Sequence, residues 1–216
     1  MPLGPPLRRS FYARDARDVA PALIGCRLVH RVPGGERLVV RLTEVEAYLG
    51  DGSDPASHAH PGPTPRNATM FGPAGRLYAY RSYGLHICLN VVCETEGRAA
   101  AVLLRAAEPL AGLDAMRRRR GLPETARATA LTVGPGRLGQ ALGLGLEDDG
   151  RTLLTGALTL HPPEAPGARV GSGPRVGITK AADLPYRYFE TDEDAKPSAW
   201  VSAFRPGKRR PRPTPG

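Results

Sequence analysis

Lysine is almost missing from this chain: only Lys180, Lys196 and Lys208 contribute to the 30 lysines and arginines. Cysteine is scarce as well. Cys26, Cys88 and Cys93 are odd in number and lack paired spacing, which argues against a disulfide framework. No apolar run approaches bilayer length, since the longest aliphatic stretch lies near 99–104, and MPLGPPLRRSFYARD has no apolar core of the kind an export signal needs. A soluble, cytoplasmic protein without a membrane partner is expected. A phosphate loop of the GxxxxGK[ST] kind, a Gly-rich dinucleotide fingerprint and a Ser/His/Asp hydrolase elbow are all lacking. Acidic residues are in deficit too, 21 against those 30 cations, for a net charge of +9. Such a surface suits a polyanion, with phosphate backbones the first candidate. A compositional preference for Arg, Ala, Gly and Pro accounts for part of the basicity, so charge alone does not name the partner.

What is present fits one domain, because 216 residues can bury one sizeable core. Residues 1–9 are Pro-rich and basic and read as a flexible arm, and 206–216 as a disordered basic tail around a domain at 10–205. RDARDVAPALI (14–24) predicts a helix stopped by Gly25. CRLVHRV and RLVVRLTEVEAY flank Pro33-Gly34-Gly35 as a hairpin, and residues 76–92 form a second one turning at Tyr83-Gly84. Between them, residues 50–75 make a loop too long to be a mere connector. AAAVLLRAAEP (99–109) predicts a buried strand, and PLAGLDAMRRRR (109–120) a helix with proline at its start and Gly121 beyond its end. A further helix is expected at 135–144, and short strands at LLTGALTLHP, PRVGITKA and YRYFE. The fold class is α+β, with a mostly antiparallel sheet.

Several residues are candidates for chemistry. Strand alternation places Leu38, Val40, Leu42, Glu44, Glu46 and Tyr48 on one face, so two carboxylates share the apolar side, where a charge must be paired or used. Glu46 is preferred as the chemical one and Glu44 competes; either also reads as a structural ion-pair partner. In the long loop, His58 and His60 form a His-x-His pair with Asp54 nearby, but no ligand cluster completes a metal site, and a histidine hydrogen-bonded to a tyrosine or ligand is preferred. Arg66-Asn67 either face a phosphate or brace the loop. Tyr78 and Tyr80 share a face of the second hairpin, and Tyr83 stands at its tip, to wedge between base pairs or to pack on a neighbouring loop. Asn90 either reads a base edge or satisfies backbone groups. Arg105, inside an apolar strand, needs an anionic or carbonyl partner, for which Glu46 is attractive. Arg117 to Arg120 favour a helix C-terminus or contact phosphate.

EVEAYLG (44–50), DPASHA (54–59), TPRNATMFGPAGRLYAYRSYGLHICLNV (64–91) and AVLLRAAEPLAG (101–112) together resemble the alkyladenine (3-methyladenine) DNA glycosylase family in its bacterial form. The resemblance runs over roughly residues 10–205. It implies a monomeric single domain with a curved antiparallel sheet and a protruding β-hairpin. By the same resemblance Glu46 corresponds to the general base, Arg105 to the arginine that helps hold the catalytic water, and Val176 in PRVGI to the residue whose backbone carbonyl assists it. Tyr48, His58 and Tyr80 correspond to the walls of a flipped-base pocket, with DPASHA favouring His58 over His60. Asn90 corresponds to the residue that crowds the exocyclic amine of guanine, and Tyr83 to the tyrosine that fills the gap left by the flipped nucleotide. SAWVS (198–202) is similar to the closing motif of the family, with Ala199 where proline is more usual.

The implied activity is hydrolysis of the N-glycosidic bond of alkylated or deaminated purines in duplex DNA, without cofactor or metal, during base excision repair. A base must leave the stack before it can be attacked, so a wedge and a receiving pocket are both needed. Stacking a cationic alkylpurine between two tyrosines contributes about 1–2 kcal/mol in a desolvated pocket. No lysine falls in these motifs, which argues against a Schiff base and strand cleavage. Two rivals from other classes are a non-catalytic nucleic-acid-binding module and a metal-dependent hydrolase using His58, His60 and Asp54.

Overall fold

The hairpin signals of the sequence become the strand pairs of the protein. In the computed structural model, which describes residues 3–165 and 167–203, β1 (Arg27–Arg31) and β2 (Arg37–Tyr48) pair across Gly34 and Gly35, both with positive φ. β3 (Leu77–Ser82) and β4 (His86–Cys93) form the second hairpin, and β5 (Ala100–Ala111), β6 (Leu158–His161), β7 (Val170–Gly173) and β8 (Arg187–Glu190) complete one eight-stranded sheet. Every pairing is antiparallel, in the order β3-β4-β5-β2-β1-β6. β2 is the central ribbon. β5 runs along one side of it, while on the other side β1 covers Arg37–Arg41 and β8 takes over at Glu44–Glu46.

Helices cover one face of this sheet. They are α1 (Arg9–Tyr12), α2 (Ala16–Leu23), α3 (Leu113–Arg120), α4 (Thr129–Thr132) and α5 (Pro135–Leu142). Asp15 caps α2 by accepting the Arg17 N–H at 2.8 Å, and Val19, Ala20 and Leu23 enter the core with Met116, Leu138 and Leu142. On the opposite face a smaller cluster of Met70, Tyr78, Val92, Ala99 and Ala101 lies beneath the long loop. The α+β expectation holds.

The alternation read along β2 does not. Leu38, Val40 and Leu42 face the main core, but so do Val45, Ala47 and Leu49, which have the opposite parity. Pairing with β5 slips between Leu42 and Glu44 and again between Glu44 and Val45, leaving Thr43 extra on β2 and Arg105 extra on β5. A bulge shifts the two-residue period by one, so it exchanges the faces of everything beyond it. Glu44, Glu46 and Tyr48 therefore leave the apolar face. β5 makes the matching exchange, with Ala100, Val102 and Leu104 in the core before the slip and Ala107 after it.

Three further expectations are corrected. The helix foreseen from Pro109 begins at Leu113, because β5 continues through Pro109, which pairs with Val40. β4 has left the pairing by then, so this stretch behaves as an edge, where proline is tolerated. PRVGITKA is not a strand; β7 ends just before Pro174, which has no N–H for a ladder. Within the segment expected as a flexible arm (1–9), residues 4 and 7 meet β6: Leu7 N–H donates to Leu160 O at 2.8 Å, and the His161 ring lies 2.7 Å from Gly4 O. The tail from 206 lies outside the described residues.

Gly50 closes β2 against the start of β5, and a Cβ there would sit 1.9 Å from the Ala99 carbonyl oxygen. Gly50→Ala should cost about 1–3 kcal/mol and lower the melting temperature by roughly 3–10 °C. An unchanged melting curve would contradict this close approach.

Candidate active site

On the face opposite the main core, β2, β3, β4 and β5 turn polar and aromatic side chains toward a cavity of about 430 Å³. Tyr48 comes from β2, Tyr78 and Tyr80 from β3, Cys88 and Asn90 from β4, and Leu103 and Arg105 from β5. The long loop adds His58, Arg66 and Met70, α5 adds Pro135, and Val176 and Gly177 follow β7. Tyr83 reaches its rim from the tip of the hairpin. Of the eight residues that the family resemblance assigned to a site, all but one border this space, whereas Glu44, Asp54, His60, Asn67 and Arg117 to Arg120 do not. The exception is Glu46, which is fully buried directly behind the wall.

Three neighbours hold that carboxylate, and all three line the cavity. The Val176 N–H donates to Oε1 at 2.7 Å, the Tyr48 hydroxyl donates to Oε2 at 2.9 Å, and Arg105 Nη1 lies 3.2 Å from Oε1. Val176 thus meets Glu46 through its N–H, beside the carbonyl role that the resemblance implies toward the water. Burial is the largest influence on Glu46 and pushes its carboxyl above the ordinary range, with the charge of Glu44 adding to it; Arg105, the Val176 N–H and Tyr48 offset only part.

Glu44 sits in a different environment. Burial, again the largest single influence, would raise it, yet Arg105, Arg187 and the N–H and hydroxyl of Ser202 outweigh burial and leave it lowered. Its Oε1 accepts from Arg105 Nε at 2.8 Å and Arg187 Nε at 2.7 Å. Two carboxylates two residues apart are therefore separated in character, one lowered and one raised, a division of the kind found at acid–base sites.

The aromatic wall is ordered by specific contacts. A ring nitrogen of His58 lies 3.0 Å from the Tyr78 hydroxyl, and the His58 and Tyr80 rings meet edge-on at 4.5 Å. Burial, then the nearby Arg66, lowers the His58 pKa, favouring the neutral imidazole. His60 is exposed, so His58 is the member of the pair at the cavity. The Asn90 amide donates to Tyr78 O at 3.0 Å, which is the backbone-satisfying reading, and the residue borders the cavity. Asn67 braces the loop, accepting the Thr64 N–H and donating to His58 O and Gly62 O. Arg66 stands at the rim, 5.7 Å from the Tyr80 ring centre. Arg117 to Arg120 are engaged within the fold, with Asp114, Glu36 and Gln140.

Asp54, considered beside the histidines as a metal ligand, is instead paired with Arg175 at 2.6 and 2.8 Å, both side chains fully buried. Arg175 also donates to Ala47 O and lies 4.6 Å from the centre of the Tyr48 ring. Among the described residues no group of three His, Cys, Asp or Glu side chains is gathered as a metal would require. Tyr78 was legible from its alternation with Tyr80. Arg175, Met70 and Pro135 were not, since only the packing of distant loops brings them to the site.

Residues 10–194 match the family model described as methylpurine-DNA glycosylase. The chain belongs to that family. Among its relatives, proteins carrying the name 3-methyladenine DNA glycosylase include one from Rhodopseudomonas palustris, 51% identical over 86% of this chain and 85% of its own length. Another, from Methanoculleus marisnigri, is 49% identical over 85% of this chain and 94% of its own. A third, from Chlorobaculum parvum, is 47% identical over 86% and 87%. In this methylpurine-DNA glycosylase family member, the matched span contains Glu46, Arg105 and the whole aromatic wall.

Breaking the Asp54–Arg175 pair leaves a buried guanidinium unmatched, so Asp54→Asn should destabilise the protein by about 3–5 kcal/mol in urea unfolding. Burial pushes Asp54 up most strongly, but Arg175 and the N–H groups of Leu49 and Ala56 prevail and lower it below 3.8. A lowered carboxylate contributes fully above its unfolded pKa and loses that contribution as pH falls through the folded one. The deficit of the variant should hold constant at neutral pH and shrink only below about pH 3.8.

Proposed function

We propose that this protein is a monofunctional DNA glycosylase of base excision repair, which turns alkylated or deaminated purines out of duplex DNA and hydrolyses the N-glycosidic bond with water activated by Glu46. The lesion class is that of 3-methyladenine, 7-methylguanine, hypoxanthine and ethenoadenine, and the protein acts as a monomer without cofactor. The observation that carries this reading is a cavity of about 430 Å³ walled by flat aromatic side chains, three of whose lining residues bond one buried carboxylate of raised pKa. Such a space accepts a planar base, and its phenol faces favour a positively charged one.

The chemistry needs one base and little else. An alkylated purine is a good leaving group, so the site must place water at the sugar carbon and stabilise positive charge developing on the sugar. Glu46 serves both ends when one of its three donors yields its place to that water. Arg105 keeps the carboxylate available as the anion. Among the described residues no lysine lines the cavity, which supports simple hydrolysis over a Schiff-base route. No helix among the described residues is long and apolar enough to cross a membrane.

Tyr83 supports the extrusion step. It is 87% exposed at the tip of the β3–β4 hairpin, with φ of 49° where a bulky residue is strained. An aromatic held out of its own core in a costly backbone conformation is placed to enter the stack and unstack a base pair.

Glu46→Gln should bind lesion-containing duplex normally and release base slower by a factor of about 100 or more. Because the Glu46 pKa is raised, wild-type single-turnover excision of 7-methylguanine should fall as pH drops through a value above 4.5, a limb that the variant lacks. Rates unaltered in the variant would remove Glu46 from the mechanism. Product analysis with chelator present should still show free base, and binding by the wild type without release would leave a nucleic-acid-binding module instead.

Tyr83→Ala should leave chemistry on single-stranded substrate intact while slowing extrusion from duplex, followed with a fluorescent base analogue at the lesion. Unchanged extrusion would refute the wedge.

A further inference from the structure

Glu44 does not border the cavity, yet three elements converge on it. Arg105 arrives from β5 at 2.8 Å, Arg187 from β8 at 2.7 Å, and Ser202 from the last described segment of the chain. Ser202 contacts it twice, through its backbone N–H to Oε2 at 2.6 Å and its hydroxyl to Oε1 at 2.8 Å. The same hydroxyl accepts from Arg105 Nη2 at 3.4 Å, and Arg187 Nη2 donates to the Ser202 carbonyl at 2.8 Å. Two residues earlier, the Trp200 carbonyl accepts the Thr43 hydroxyl at 2.7 Å. Residues 200–202 thus form a strap seated on the bulge at Thr43–Glu44.

The consequence is geometric. A guanidinium is a rigid planar fork, so fixing Nε and one terminal nitrogen fixes the direction of the other. Glu44 holds Nε of Arg105, Ser202 meets Nη2, and Nη1 is left pointing at Glu46, 3.2 Å away. We propose that Glu44 and Ser202 are positioning residues: the C-terminal strap, through this pair, aims Arg105 at Glu46 and so completes the site from 97 residues further along the chain. This rests on the glycosylase reading above.

The charged and titratable groups facing Glu46 are Glu44 and Tyr48 on its own strand, Arg105 on β5 and Arg187 across β8. Tyr80 and Cys88 of the hairpin and Arg175 after β7 also act on it. Of these only Glu44 brings a second full negative charge. Arg105 acts on Glu46 more strongly than Glu44 does, and in the opposite direction, so loss of its aim in Ser202→Ala should move the acid limb of the excision profile to higher pH, an effect that a loss of packing alone would not produce.

The test uses the full chain and a duplex bearing one 7-methylguanine, with binding and single-turnover release measured separately. Ser202→Ala should slow release about tenfold while the Kd stays within about twofold, as expected for a misaimed catalytic group. Ser202→Thr, which keeps the hydroxyl, should recover most of the rate. Glu44→Gln, which removes the group that holds Arg105 Nε, should slow release as well; if it fails to fold, the two Ser202 variants decide. An active wild type matched by Ser202→Ala, or a threonine variant no better than alanine, overturns the inference alone. An inert wild type overturns the glycosylase reading and this inference with it.

Discussion

The paired slip at Thr43–Glu44 on β2 and Arg105 on β5 is the constraint on which the site depends. Without it, uninterrupted alternation would send Glu44, Glu46 and Tyr48 into the helix-covered core with Leu42. Two carboxylates there would meet only hydrocarbon, at a cost no fold of this size can carry. The slip exchanges the faces, so aliphatic residues continue to fill the core while the polar ones face Arg105 across the ladder. Bulges recur beside active sites because they re-aim side chains without breaking the sheet.

Once the carboxylates are buried on that face, cations must follow. Glu44 receives Arg105 and Arg187, Glu46 shares Arg105, and Asp54 takes Arg175. Buried pairs of this kind contribute little net stability compared with apolar packing. What they provide is specificity of arrangement: each arginine comes from a different part of the chain and carries a segment of the site with it. Arg175 brings Val176 to Glu46 and supports the Tyr48 ring, while its partner Asp54 anchors the loop that carries His58.

The hairpin answers to a different demand. Leu77, Ala79, Leu89 and Val91 face the core, while Tyr78, Tyr80 and Asn90 face the cavity, so the two-residue period serves packing and recognition at once. At the tip both Tyr83 and Gly84 have positive φ, with the Leu85 N–H closing the turn onto Ser82 O at 3.1 Å. Glycine takes that conformation freely and tyrosine does not. Leu85, 80% exposed, extends the apolar tip beyond the body of the domain.

The α+β class, both hairpins and α5 with Pro135 in its first turn could be read from the residues, while only the family resemblance assigned Tyr80, Asn90 and Arg105 to one site. The former rest on local chemistry: turn glycines, alternation over a short strand, a proline where an N–H is not needed. Tertiary structure decided the rest. Which arginines reach Glu44 was hidden in the sequence, because they come from strands some sixty and one hundred and forty residues away. The exchange of faces on β2 was hidden because a bulge is defined by its partner strand, and alternation counted along one strand cannot register a residue inserted against another. The seating of Ser202 on Glu44 was hidden for the same reason, since a serine carries no mark of the distant carboxylate that it will meet.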